Sequence, residues 1–131
     1  MSTSAIRRWP TPLPVPFSKA VRAGDFLFLS GVLAMDPQTR VIEGDVQAQT
    51  RVIVERIAAT LRECGASLTE VVKATVWLAD LADFNAFNAE YAKHFGAALP
   101  ARSCVQAALF QGAKVEIEVM AYVPEFESGP A

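Results

Sequence analysis

Towards the end of the chain apolar and polar residues alternate, and in its middle apolar residues recur every three or four positions. Val115, Ile117, Val119, Ala121 and Val123 occupy every second position, with Lys114, Glu116, Glu118, Met120 and Tyr122 between them. A period of two predicts a strand over 114–123 whose apolar face meets other elements and whose opposite face meets water or another subunit. Thr50, Ile53, Val54, Ile57, Leu61 and Cys64 fall on one side of a 3.6-residue period, and Gln49, Arg51, Glu55, Arg56, Arg62 and Glu63 fall mostly elsewhere. This predicts a long helix opened by Gly44-Asp45, with Asp45 as its N-cap and Gly65 as its stop. A second helix is predicted from a cap at Asp83 to about Phe95, burying Phe84, Phe87, Tyr91 and Phe95.

The β-branched run Val71 to Leu78 reads as a strand. Lys19 to Arg22 and Phe26 to Leu29 flank Ala23-Gly24-Asp25 as the arms of a hairpin, and Ala101 to Ala107 precedes a short loop containing Gly112. The order is β-β-α-β-α-β-β, with a short strand around Ile6. It predicts an α+β fold in which two helices pack on one face of a mixed sheet. Prolines 10, 12, 14 and 16 fix φ at every second position, so residues 1–16 read as an extended arm leading into the fold. Asp36-Pro37-Gln38-Thr39 reads as a turn, and 125–131 as a short tail.

Length makes residues 1–131 a single domain. A net charge of −2 with no Lys/Arg cluster argues against a nucleic-acid partner. The apolar runs are too short to span a membrane, and Met1 to Pro16 lacks the apolar core of a secretory signal, so the chain reads as cytoplasmic. Cys64 and Cys104 show neither metal-ligand nor redox-motif spacing and read as reduced, buried small hydrophobes; no metal is expected. His94, the only histidine, lies where an imidazole bonds the last carbonyls of a helix.

Two charged residues stand out on the last strands. Arg102, Cys104 and Gln106 share one face of theirs, and if Ala107 pairs with Ala113 across the short loop, Cys104 lies opposite Glu116. From these residues alone, Arg102 and Glu116 are either a chemical site or an ion pair in an interface. Met120 and Tyr122, on the non-helical face beside Cys104, favour an interface with another copy.

Pro16-Phe17-Ser18-Lys19-Ala20-Val21, Phe28-Leu29-Ser30-Gly31, Gln49-Thr50-Arg51, Val72-Lys73-Ala74-Thr75-Val76, Phe87-Asn88, Pro100-Ala101-Arg102-Ser103 and Val115-Glu116-Ile117-Glu118 resemble, in order and spacing, the Rid (YjgF-like) family. The resemblance spans about residues 14 to 123. It implies a chorismate-mutase-like fold, of the bacillus type, assembled as a homotrimer with ligand clefts between adjacent subunits. It also implies hydrolysis of reactive enamines and imines, such as 2-aminoacrylate and 2-imino acids, to 2-keto acids and ammonia without a cofactor. By the same resemblance Arg102 binds the substrate carboxylate, Glu116 positions or activates the attacking water, and the backbone carbonyl of Cys104 helps to hold it. Phe17, Ser30, Gly31 and Asn88 match positions lining or adjoining the cleft. The residue types suit those roles, since a guanidinium is a planar fork for a carboxylate and a carboxylate can take a proton from water.

Three positions depart from the family pattern. Phe17 stands where tyrosine is common, Val32 replaces a glutamine often found after Ser-Gly, and the loop from Ala108 to Gly112 is shorter and lacks a Leu-Pro pair. A non-catalytic module binding 2-keto acids through Arg102 is the alternative; Glu116 favours the enzyme, because binding an anion gains nothing from a second anion nearby. A ribonuclease label is attached to some relatives, and the acidic balance of this chain argues against that activity.

Overall fold

The computed structural model describes residues 5–124. The tail expected over 125–131 and the first four residues of the arm lie outside the described residues. Nine regular elements follow in order: β1 (Ile6–Pro10), β2 (Ser18–Ala23), β3 (Phe26–Leu29), β4 (Val32–Leu33), α1 (Val46–Glu63), β5 (Val71–Leu78), α2 (Phe84–Phe95), β6 (Ala101–Gln106) and β7 (Val115–Tyr122). The strands form one sheet in the order β1-β2-β3-β7-β5-β6, with the short β4 also pairing β7. Only β5 and β6, joined through α2, run parallel, as a strand–helix–strand crossover requires. The α+β architecture with a mixed sheet and two helices is as the periodicity predicts.

The apolar stripe of α1 and the alternate residues of the strands close on each other. Ile53, Ile57, Leu61, Ala74, Val76, Val115, Ile117 and Ala121 are fully buried, and Phe87, Tyr91 and Phe95 of α2 join the same core. Asp45 caps α1 by accepting from the Ala48 amide at 2.8 Å. At the hairpin between β2 and β3, Gly24 takes φ +61°, a conformation costly for other residues.

Several expectations need correction. The short strand expected around Ile6 is present as β1, but it is part of the fold rather than a lead into it: it pairs antiparallel with β2, buries Trp9, and shifts register at Pro10, where the missing N–H ends regular pairing. Gln49 is buried rather than solvent-facing, because its amide donates to the Gly44 carbonyl and accepts from the Lys114 amide. Phe84 stays half-exposed at the start of its helix. Asp83 occupies the N-cap position without a side-chain bond; Asp80 does the capping one turn earlier, accepting from the Ala82 amide at 2.9 Å. His94 pairs with the buried carboxylate of Glu90, 2.8 Å away, rather than with the last carbonyls. Cys104 is only partly buried, whereas Cys64 is buried as expected.

Candidate functional site

The register of the sheet decides where the two candidate charges lie. Directly paired residues on adjacent strands point to the same face. Arg102 pairs with Ala74, which pairs with Val119, so Arg102 faces the helices. Glu116 pairs with Trp77, which pairs with Val105, so Glu116 faces away from them. The condition that Ala107 pair with Ala113 is not met. β5 lies between β6 and β7, and Cys104 is opposite Val76 rather than Glu116. The length of the loop between β6 and β7 would suit a hairpin, but the parallel crossover through α2 places β6 at the sheet edge. Within one chain Arg102 and Glu116 therefore occupy opposite faces.

On the helix side, the Arg102 guanidinium carbon lies 4.9 Å from the Tyr91 ring centroid, 5.3 Å from that of Phe87 and 5.6 Å from that of Phe84. Among the described residues no carboxylate forms an ion pair with Arg102. Burial raises the Tyr91 hydroxyl above its ordinary pKa, against an opposing pull from the Arg102 charge. The Cys104 thiol is raised by burial in the same way, which disfavours a thiolate nucleophile there. Asn88 lies on the same helix with its side-chain oxygen buried and without a hydrogen-bond partner among the described residues, as is the Tyr91 hydroxyl. The ring contacts to Arg102 escaped the sequence, where Phe84, Phe87 and Tyr91 read as core packing. Their three- and four-residue spacing, on the helix that joins β5 to β6, was the signal available.

On the other face, Glu116 is half-buried against the backbone of Gly31. A Cβ on Gly31 would collide with Oε2 of Glu116 and sit 3.2 Å from its Cδ, so the absent side chain makes room for the carboxylate. Leu33 and Trp77 pair with Glu116 on either side. Burial raises the Glu116 pKa, and the negative charge of Glu118 raises it further. Ser30 donates to the Ser18 carbonyl at 2.6 Å, which ties the Ser30-Gly31 link between β3 and β4 to the start of β2, next to the exposed Phe17. An open cleft of about 500 Å³ on this face is lined by Val21, Phe28, Ser30, Lys73, Glu118 and Met120, among others. Of the expected residues, Glu116, Gly31, Ser30 and Phe17 thus gather on the open side, and Arg102, Cys104 and Asn88 on the helix side. No group of three or more His, Cys, Asp or Glu that could hold a metal occurs among the described residues.

The sequence profile of the endoribonuclease L-PSP family matches residues 11–123. The chain is 45% identical over 108 residues to the chloroplastic Reactive Intermediate Deaminase A of Arabidopsis thaliana, covering 81% of this chain and 58% of that protein. It is 41% identical over 108 residues to the 2-iminobutanoate/2-iminopropanoate deaminase of Capra hircus, covering 81% and 79%. Its fold superposes on the crystal structure of RidA from an Antarctic Psychrobacter with a TM-score of 0.80 at 35% identity, covering 92% of this chain and 99% of that one.

Proposed function

The chain belongs to the endoribonuclease L-PSP family, within its Rid branch, and on that premise we propose that it hydrolyses reactive 2-imino acids and their enamines to 2-keto acids and ammonia. The observation that carries the reading is a pair of half-sites: a guanidinium with no acid partner among the described residues on one face of the sheet, and a carboxylate of raised pKa on the other. A cation free of internal acids can take a substrate carboxylate by its planar fork. A carboxylate held partly out of water is a stronger base towards a bound water. Names of the Arabidopsis and goat relatives point to the same chemistry.

The two half-sites cannot meet inside one chain, so the reading requires a second copy whose sheet edge, carrying Arg102 and Cys104, meets the open face carrying Glu116, Gly31, Ser30 and Phe17. Phe26, Phe28, Val105 and Tyr122 are exposed on that open face, a run of apolar side chains that favours burial against another subunit. A head-to-tail contact of this kind forms a ring when its rotation closes, and the closed homotrimer with a chorismate-mutase-like arrangement is the assembly we propose. In the shared cleft Arg102 holds the carboxylate, Glu116 takes the proton from the attacking water, and the Cys104 carbonyl helps to orient that water. Attack at C2 gives a carbinolamine, which expels ammonia once its nitrogen is protonated. Phe17 supplies a wall without a hydroxyl, so no proton comes from that position. Asn88 adjoins the Arg102 half-site. We place the protein in the cytoplasm; among the described residues no helix is long and apolar enough to cross a membrane.

The test uses imines generated in situ from amino acids, with ammonia and keto-acid release measured against the buffer rate. Glu116→Gln keeps the shape of the side chain and removes the base. It should lower turnover by about 10²-fold or more, the scale of losing a general base, while calorimetric affinity for a 2-keto acid stays close to that of the unaltered protein. Binding of keto acids without acceleration of any imine would instead support the binding module.

A further inference from the structure

Arg102 carries a long side chain at a sheet edge, where a guanidinium without an acid partner has many rotamers available. Three rings take the place of an acid. Tyr91 and Phe87 lie four residues apart on α2, their centroids 5.3 Å apart, and Phe95 extends the row 4.7 Å beyond Tyr91. The row is anchored in the core, because Phe87 is fully buried and Tyr91 and Phe95 are nearly so. The parallel register places Arg102 opposite Ala74, and the small side chain there fits the approach of the guanidinium to the helix. Phe84 closes the outer side.

We propose that the faces of Tyr91, Phe87 and Phe84 form a platform that positions the Arg102 guanidinium, fixing the direction of its fork towards the substrate carboxylate; this rests on the proposed role of Arg102. Attraction to a ring uses the flat face of the guanidinium. The N–H groups lie in the plane at its edge and stay available for two parallel hydrogen bonds to a carboxylate. An acid in place of the rings would neutralise the cation and compete for the same N–H groups. The rings hold it without doing either. They are positioning residues, and the part of Tyr91 that matters is its ring: the hydroxyl has no hydrogen-bond partner among the described residues.

Three variants separate positioning from folding. Tyr91→Leu removes the nearest ring, Phe84→Leu removes a half-exposed one with little effect on the core, and Tyr91→Phe restores the ring without the hydroxyl. Affinity for 2-oxobutanoate is read by calorimetry, with thermal melts of each variant as the folding control. Hydrolysis is followed for 2-iminobutanoate and for a carboxylate-free imine made from propanal and ammonia. Losing a desolvated cation–π contact corresponds to roughly 3- to 30-fold. Tyr91→Leu should weaken 2-oxobutanoate by that factor and Phe84→Leu by less, and Tyr91→Phe should recover the affinity. The loss should appear mainly in KM for 2-iminobutanoate and exceed the loss for the carboxylate-free imine by a similar factor. Equal losses on both imines, unchanged affinity in Tyr91→Leu, or a loss in Tyr91→Phe as large as in Tyr91→Leu would overturn the platform. If the unaltered protein accelerates neither imine, the deaminase reading fails while the affinity series still judges the platform. If it binds no 2-oxobutanoate, the platform fails with the role of Arg102.

Discussion

The two faces of the sheet differ in what one chain can supply. On the covered face, Ala74, Val76, Ile117 and Ala121 are fully buried and Val119 nearly so, and both helices complete their surroundings. On the other face the sheet presents Phe28, Thr75, Trp77, Val105, Glu116, Glu118 and Met120, with no helix layer among the described residues above them. The covered face is closed apolar packing, with the Asn88 side-chain oxygen and the Tyr91 hydroxyl of α2 the buried side-chain atoms left without a hydrogen bond among the described residues. The open face keeps a half-buried carboxylate with a raised pKa and exposed apolar side chains, features that are costly unless something else completes them. Arg102 stands at the border, on the covered side but at the free edge, met by three rings and, among the described residues, by no carboxylate. The lesson is that the chemistry of this molecule sits where its own packing ends.

The contrast can be sharpened by variants on either side of that border. The largest effect is expected from Arg102→Lys, which keeps the charge and loses the fork. Activity on 2-imino acids should fall about 10²-fold, nearly as far as in Arg102→Ala, with melting temperature little changed because no acid among the described residues pairs with Arg102. Steady-state kinetics beside thermal melts check this, and near-full activity in the lysine variant would remove the fork from the account.

A smaller effect is expected at Gly31. A methyl group there meets the Glu116 carboxylate, so Gly31→Ala should displace the base and slow turnover by about 10-fold, the cost of a misplaced reacting group being of this order or larger. Keto-acid affinity, which depends on Arg102, should change far less. Equal loss of binding and turnover would mean that Gly31 shapes the whole cleft and not the base alone.

The smallest effect is a shift in pH dependence. Glu116 acts as a base only when ionised, and burial together with Glu118 raises its pKa, so activity should fall on acidification at a higher pH than an ordinary glutamate would give. Glu118→Gln removes one of the two causes and should move that acid limb to lower pH. A kcat/KM profile of the two proteins measures the displacement. An unmoved or raised limb would detach the titration from Glu116.

Much of this arrangement was legible in the sequence because it follows local periods. The alternation from Lys114 to Val123 gave the two faces of β7, and the stripe from Thr50 to Cys64 gave the buried side of α1. What escaped was non-local. Whether Cys104 lies opposite Glu116 or a strand away depends on which neighbour β6 chooses, and nothing within β6 or β7 encodes that choice. The crossover through α2 decides it by bringing β6 parallel to β5. In the same way, Phe87 and Tyr91 look like any aromatic stripe until the register sets Arg102 beneath them. The pairing of β1 with β2 was obscured by its proline, which alters the ladder only at the strand end.

The central claim is that one active site takes Arg102 from one subunit and Glu116 from another. It is tested most directly by mixing two inactive variants, Arg102→Ala and Glu116→Gln, after dissociating and reassembling them together. In a ring of heterologous contacts, random mixing in equal amounts gives about one quarter of the clefts both an intact arginine and an intact glutamate. The account predicts that imine hydrolysis recovers to about that fraction of the unaltered protein's activity per subunit. Activity that stays at the level of the separate variants, in a mixture shown to contain both subunits in one oligomer, would contradict it.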